Sequence, residues 1–153
     1  MRLANLHIFC LFLMREDVFM KYFHRTFTSE LKGKIHSIEK ELKEQIEKFL
    51  RENKAAFSKK GLKLEAELNQ EGRDVFQPGY SSSISLGISD KRGDLIDVKI
   101  IKIWECEYFF LGMPVSKKIP GSKLFGELLD ESSQEITTEL EQWIAEFWDE
   151  LTN

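Results

Sequence analysis

From Tyr80 to Leu111 the chain alternates apolar and polar residues with a period of two, in two runs joined by the charged stretch DKRGD. In the first run Tyr80, Ser82, Ile84, Leu86 and Ile88 share one parity, and Ser81, Ser83, Ser85, Gly87 and Ser89 the other. In the second, Ile96, Val98, Ile100, Trp104, Cys106, Tyr108 and Phe110 share the even parity, broken only by Lys102. Successive side chains of a strand point to opposite faces, so each run has one strongly apolar face. The joint contains Gly93 and suits a hairpin turn. The expectation is a long antiparallel hairpin with Ile84, Leu86, Val98, Ile100 and Trp104 buried together. A strand over 95–111 exceeds the usual length, so its far half is expected to bend or to separate. Ile101 and Ile103 fall on the odd face and need cover of their own.

The flanks of this hairpin change period. Over 29–58, Leu31, Ile35, Ile38, Leu42, Ile46, Phe49 and Leu50 recur at steps of three and four, the apolar stripe of a helix. Thr28 or Ser29 stands where an N-cap belongs. Glu30–Lys34, Glu39–Lys43, Glu44–Lys48 and Glu47–Arg51 are i,i+4 pairs, each worth only about 0.2–0.5 kcal/mol, so packing of the stripe decides the helix. Gly61 suits its end. LKLEAELN (62–69) alternates and predicts a first strand, and 70–79 reads as a loop with a Pro-Gly turn. Residues 112–126 read as a long loop rich in Pro, Gly and Lys. Asp130 or Ser132 is placed to cap a second helix over 131–151, with a stripe of Ile136, Leu140, Trp143, Ile144, Phe147 and Leu151.

Together these elements predict one α+β domain over 1–153. It is a two-layer sandwich in which an antiparallel meander of three to four strands carries both helices on its even face. Before the first helix, Val18, Phe19, Tyr22, Phe23 and Phe27 suggest a short helix or extended segment at the edge of the core. The apolar run LHIFCLFLM within 1–14 is too short to span a bilayer and makes an incomplete signal peptide. Residues 1–19 are expected to be an N-terminal extension, with Met14 and Met20 as alternative starts, or an apolar element docked on the domain.

Composition fits a soluble globular chain, with 42% hydrophobic and 31% charged residues. The two cysteines, Cys10 and Cys106, make neither a disulfide framework nor a metal spacing, which favours a reducing, cytoplasmic setting. The net charge of −4 hides an asymmetry: base predominates in 1–60 and acid in 61–153. From Glu127 to the last residue there are nine acids and no Lys or Arg. Such an end disfavours direct nucleic-acid or anionic-membrane contact and suits a basic partner.

The chain contains no phosphate loop, dinucleotide fingerprint, zinc-protease helix or nucleophile elbow, so no cofactor or metal is expected. His24 and His36 have no companion at motif spacing and read as packed or surface residues. Cys106, on the apolar face between Glu105 and Glu107, reads as a buried thiol of raised pKa rather than a nucleophile. Glu105 and Glu107 share a face, which would suit a hydrolase acid pair but is more simply a solvated sheet face. On the second helix Glu135, Glu139, Glu146 and Glu150 fall on one flank, with Asp149 beside them and Trp148 on the other. The like-charged pairs Glu135–Glu139 and Glu146–Glu150 cost about 0.2–0.5 kcal/mol each. The expected function is non-enzymatic. These residues, with Glu105 and Glu107, would bind and mask a basic toxin or nuclease, as a small antitoxin or immunity protein does. The chain is similar to such proteins in size, acidity and lack of catalytic motifs. The alternatives are a homodimeric scaffold holding an extended segment of another protein, similar in size and charge to class I secretion chaperones, and a hydrolase using Glu105 and Glu107.

Overall fold

The computed structural model describes residues 19–153. The expectations placed on 1–18 lie outside the described residues. In chain order the elements are β1 (Phe19–Phe23), a 3-10 turn (His24–Thr26), α1 (Ser29–Lys59), β2 (Lys63–Glu71), β3 (Ser81–Ser89), β4 (Leu95–Phe110), β5 (Met113–Val115), β6 (Lys123–Leu129) and α2 (Ser133–Thr152). The fold is α+β: one antiparallel sheet of 6 strands packed with a long helix and a C-terminal helix. The strand order is β1-β6-β4-β3-β2, with β5 pairing the end of β4.

Two strands come from stretches whose alternation is weak. β1 is the aromatic segment FMKYF, which pairs with β6 from Phe19↔Leu129 to Phe23↔Phe125. β6 lies in KLFGELL, where a glycine and two charges hide the strand period. Its place beside β4 depends on that glycine. Gly126 lies opposite Cys106, and a Cβ at Gly126 would overlap the Trp104 ring.

Helix α1 begins at Thr28, whose hydroxyl accepts from Leu31 N at 3.2 Å. Its stripe buries Leu31, Ile35, Leu42, Ile46 and Phe49, with Phe57 added near the end. α2 begins at Ser132 in a capping box with Glu135. It buries Ile136, Leu140, Trp143, Ile144 and Phe147, and leaves Leu151 exposed. The helices meet through Gln45, which donates to Ser133 O and Thr137 Oγ1, both at 2.8 Å, and through Phe57 against Phe147 and Trp148.

β4 is one strand that changes partners and faces. It pairs with β3 as far as Glu105 and with β6 from Trp104 onward. The register slips between Ser82↔Trp104 and Ser83↔Lys102, so Ile103 is the extra residue of a bulge. Ile103 and Trp104 are consecutive and both buried. Beyond the bulge the even parity faces the helices, as expected, with Trp104 and Cys106 buried. Before it the faces are reversed. Ile101 is buried at 5% exposure, while Ile96, Val98 and Ile100 are exposed at 48%, 46% and 60%. This corrects the expectation that Val98 and Ile100 lie under the helices. The inward residues are instead Asp97, which accepts from Trp143 Nε1 at 3.1 Å, and Lys99, which lies 3.8 Å from Glu139.

Single truncations separate the two faces. Ile100→Ala is expected to change stability by less than about 0.5 kcal/mol, as at other surface sites. Ile103→Ala is expected to cost about 2–5 kcal/mol, as core truncations do. Urea denaturation of both variants checks the inversion.

Candidate functional site

Three groups of polar residues merit comparison: the buried side of α1, the acidic flank of α2 and the outer face of the sheet.

On α1 the stripe contains a carboxylate. Glu39 sits four residues after Ile35 and three before Leu42, so helical spacing turns it inward, and it is only 3% exposed. Tyr80 OH and Gln70 Nε2 donate to its Oε2 at 2.9 and 3.0 Å, and His36 Nδ1 lies 2.9 Å from its Oε1. This is the buried polar cluster of the described residues. The expected Glu39–Lys43 pair does not account for Glu39, and His36 has a partner after all. The signal was the coincidence of Glu39 with the apolar stripe. Burial, with Glu39 as hydrogen-bond and charge partner, pushes Tyr80 up to about 12. A phenol held neutral donates a hydrogen bond and is no nucleophile. The cluster ties α1 to β2 and to the start of β3. A carboxylate buried without such donors would cost several kcal/mol.

On α2 the chain itself engages much of the acidic flank. Glu135 Oε2 accepts from Ser132 N at 2.9 Å in the capping box. Glu139 faces Lys99, and Glu146 accepts from Gln142 at 3.1 Å. Trp148 is half-buried, its ring centroid 4.6 Å from that of Phe57. Asp149 and Glu150 stay exposed. The lysines of 116–123 take no part in these contacts.

The outer face of the sheet, away from the helices, joins what the sequence kept apart. Ser83, Ser85 and Gly87 of β3 lie opposite Lys102, Ile100 and Val98 of β4, and opposite Asn69, Glu67 and Glu65 of β2. Short side chains on the middle strand make a trough between two taller banks. One bank is apolar, with Leu95 exposed at 64% beside Val98 and Ile100. The other carries Glu65 and Glu67. Asn69 Nδ2 donates to Ser85 Oγ at 3.0 Å across the floor. A cavity of about 540 Å³ reaches this face along Glu65, Glu67, Ser85, Gly87, Leu95 and Val98, and continues to Leu50 and Lys54 of α1. At Gly87 a Cβ would come within 3.1 Å of Leu95, so the missing side chain gives Leu95 room to lean over the floor.

Toward the middle of the sheet the same face gathers Glu105, Glu107 and Glu127. Glu105 lies opposite Glu127 and forms an ion pair with Lys102. Burial and the neighbouring Glu105 hold Glu107 above the usual carboxylate range, with Lys102 opposing and Glu127 adding to the rise. Glu105 and Glu107 are therefore together, as their spacing requires. Their setting is a sheet face with an ion pair. Cys106, between them in sequence, points the other way and is fully buried, and burial pushes its thiol up to about 12.

Comparison with protein-family models, with curated proteins and with solved structures finds no match. Among the described residues no helix is long and apolar enough to cross a membrane. Nor is any group of three or more His, Cys, Asp or Glu placed to hold a metal ion.

Two measurements check these assignments. An unfolded tyrosine ionises near 10, whereas folded Tyr80 holds its proton to about 12. Between those values the unfolded state binds fewer protons than the native state, so stability falls as pH rises. Tyr80→Phe is expected to lose stability at pH 7, by roughly 1–3 kcal/mol for the donor removed from Glu39. It is also expected to fall less steeply than the wild type between pH 10 and 12. Cys106 is expected to react slowly with a thiol reagent in the native protein and fast in denaturant; equal rates would contradict its burial.

Proposed function

We propose that this chain is a non-catalytic protein-binding module of the immunity or antitoxin kind, which uses its outer sheet face to mask a basic partner protein. The observation that carries this reading is the reversal of β4 before its bulge. Ile96, Val98 and Ile100 point outward while Asp97 and Lys99 point toward the helices. Folding alone gains little from that arrangement. A local choice that opposes the global pattern is characteristic of functional surface. Exposed contiguous apolar residues rimmed by charge mark an interaction site.

Charge selects the occupant. Glu65 and Glu67 bank the trough, and Glu105, Glu107 and Glu127 close its end, with Lys63, Lys102 and, opposite Glu127, Lys21 as local counter-charges. Burial is the main cause of the rise at Glu107; a Lys- or Arg-bearing segment would offset the Glu105 and Glu127 charges that add to it, while its apolar residues covered Val98 and Ile100. Basic charge on the partner also gives a salt-sensitive on-rate. A second reading is a scaffold holding an extended segment of another protein. One feature favours it: β6 pairs β4 only from Trp104 on, so Leu95–Lys102 has no strand neighbour on that side among the described residues. Strand addition there would satisfy the open backbone groups.

The test compares wild type, Val98→Lys/Ile100→Lys and Glu105→Lys/Glu107→Lys as baits in the native host, followed by reconstitution with the purified partner. The lysine positions of the first variant are exposed, so its melting temperature should stay close to the wild type. The masking reading predicts a basic partner whose affinity drops at least tenfold with either double variant and falls steeply from 50 to 300 mM salt. It also predicts that the partner's own activity is suppressed in the complex. Equal binding by all three baits would refute it. Salt-insensitive binding lost only in the apolar variant would move the assignment to the scaffold reading.

A further inference from the structure

We infer that the chain carries a second, separate site: a pocket at the other end of β4 that takes the phosphate of a nucleotide-sized ligand. The inference does not rest on the masking reading. A cavity of about 700 Å³ is formed where the 3-10 turn after β1, the end of β4 and the turn before β6 converge. Among the described residues the charged side chains that line it are Arg25, Lys118 and Lys123, with His24 beside them, and no carboxylate lines it. Among the described residues none of these three cations is within ion-pair distance of an acid. In a chain of net charge −4, a cavity whose described charged lining is all basic is against the average. Gathering like charges costs free energy that only an anion recovers.

The two turns that carry these groups are closed by hydrogen bonds. Thr26 Oγ1 donates to Phe23 O at 2.7 Å, and Phe27 N donates to His24 O at 3.0 Å, which closes the turn carrying His24 and Arg25. On the other wall Ser122 N and Oγ both donate to Ile119 O, at 3.0 and 2.7 Å, and Ser122 Oγ accepts from Ile119 N at 3.2 Å. Pro120 and Gly121 occupy the middle of that turn, and Gly121 has the positive φ of 86° that its second central position requires. The turn thus sets Lys118 and Lys123 at its two ends, both toward the cavity. The Arg25 guanidinium lies 5.7 Å from the centroid of the Phe23 ring, and Phe23 rests edge-on against Phe125 at 5.0 Å. Closed turns give such a site an advantage over lysines on mobile loops, because less backbone ordering remains to be done on binding.

The chemistry narrows the ligand. Arg presents a planar fork that matches two oxygens of a phosphate, and two lysines supply point charges for the third and for excess negative charge. Phe23, 46% exposed, and Tyr108 add ring surface beside the cations. Flat π surface next to phosphate donors suits a base or comparable ring stacked there. The volume lies within the usual range for small-molecule pockets and far exceeds what inorganic phosphate fills.

Calorimetry on the full chain tests this with inorganic phosphate, AMP and ADP as probes, at 50 and 300 mM salt. The expected result is binding of AMP and ADP with at least tenfold preference over phosphate, weakened by salt. Arg25→Glu/Lys123→Glu should reduce AMP and ADP binding at least tenfold with the melting temperature preserved. Phe23→Leu should weaken AMP while leaving phosphate unchanged. The sheet-face variant Val98→Lys/Ile100→Lys should bind AMP as the wild type does, which separates this site from the masking surface. No heat with any probe at millimolar concentration would overturn the proposal. So would equal affinity for AMP in the wild type and the Arg25→Glu/Lys123→Glu variant, or an affinity for AMP no better than for phosphate.

Discussion

The insertion of Ile103 into β4 is the constraint on which most of this structure depends. One extra residue rotates the strand by half a period, so the even parity faces the helices after Trp104 and the solvent before it. Trp104 holds the bulge in place. Its indole donates to Val75 O at 2.6 Å, and its ring lies among Tyr22, Phe27 and Phe76. That cluster pins the 72–80 loop, the segment after β1 and the beginning of α1 to one point of the sheet. Gly126 completes it from β6, because only a residue without a side chain admits the ring. The bulge therefore fixes the register of β6, and through it that of β1.

The two helices, three of the main strands and the α+β class were legible because their periods are long. Both helix starts were readable from Thr28 and Ser132 for the same reason: a hydroxyl preceding an apolar stripe has one obvious use. What the sequence concealed were events that period analysis averages away. A bulge shifts parity without changing composition, so residues 95–100 looked like the same face as 104–110. β6 was hidden by Gly126, whose role is defined by a tryptophan on another strand. Glu39 was misread because i,i+4 salt-bridge arithmetic described its neighbours well, and the stripe on which it falls was treated as purely apolar. In each case a tertiary partner, distant in sequence, decides the outcome.

The distribution of charge was similarly legible in sum and not in place. The acidic end of the chain is real, yet Glu135 is used to cap a helix and Glu139 faces a lysine turned inward from β4. The carboxylates that remain crowded are Glu105 and Glu107, neighbours on one face of β4, and Glu127, which strand register sets opposite Glu105. Lys118 and Lys123 of the segment before and at the start of β6 line a cavity at the far end of the sheet. The acidic face keeps Lys63 and Lys102 as paired counter-charges, whereas the described charged lining of that cavity is basic.

The inward position of Asp97 and Lys99 bears on how the outer face is kept available. A slip of one residue would bury Val98 and Ile100 and would look favourable on apolar area alone, at about 25 cal/mol per Å². It would also strip Trp143 Nε1 and Glu139 of the partners they find on β4. α2 thus reads the register of β4 through two polar contacts, each costly to leave unmade in a half-buried site. The bulge opposes the slip from the other side, since moving the strand would draw Trp104 off Gly126. Two polar contacts and one close approach therefore hold an apolar row in water against the pull of the hydrophobic effect. In a molecule that used this face for nothing, the simpler sequence would place polar residues at 96, 98 and 100 and apolar ones at 97 and 99.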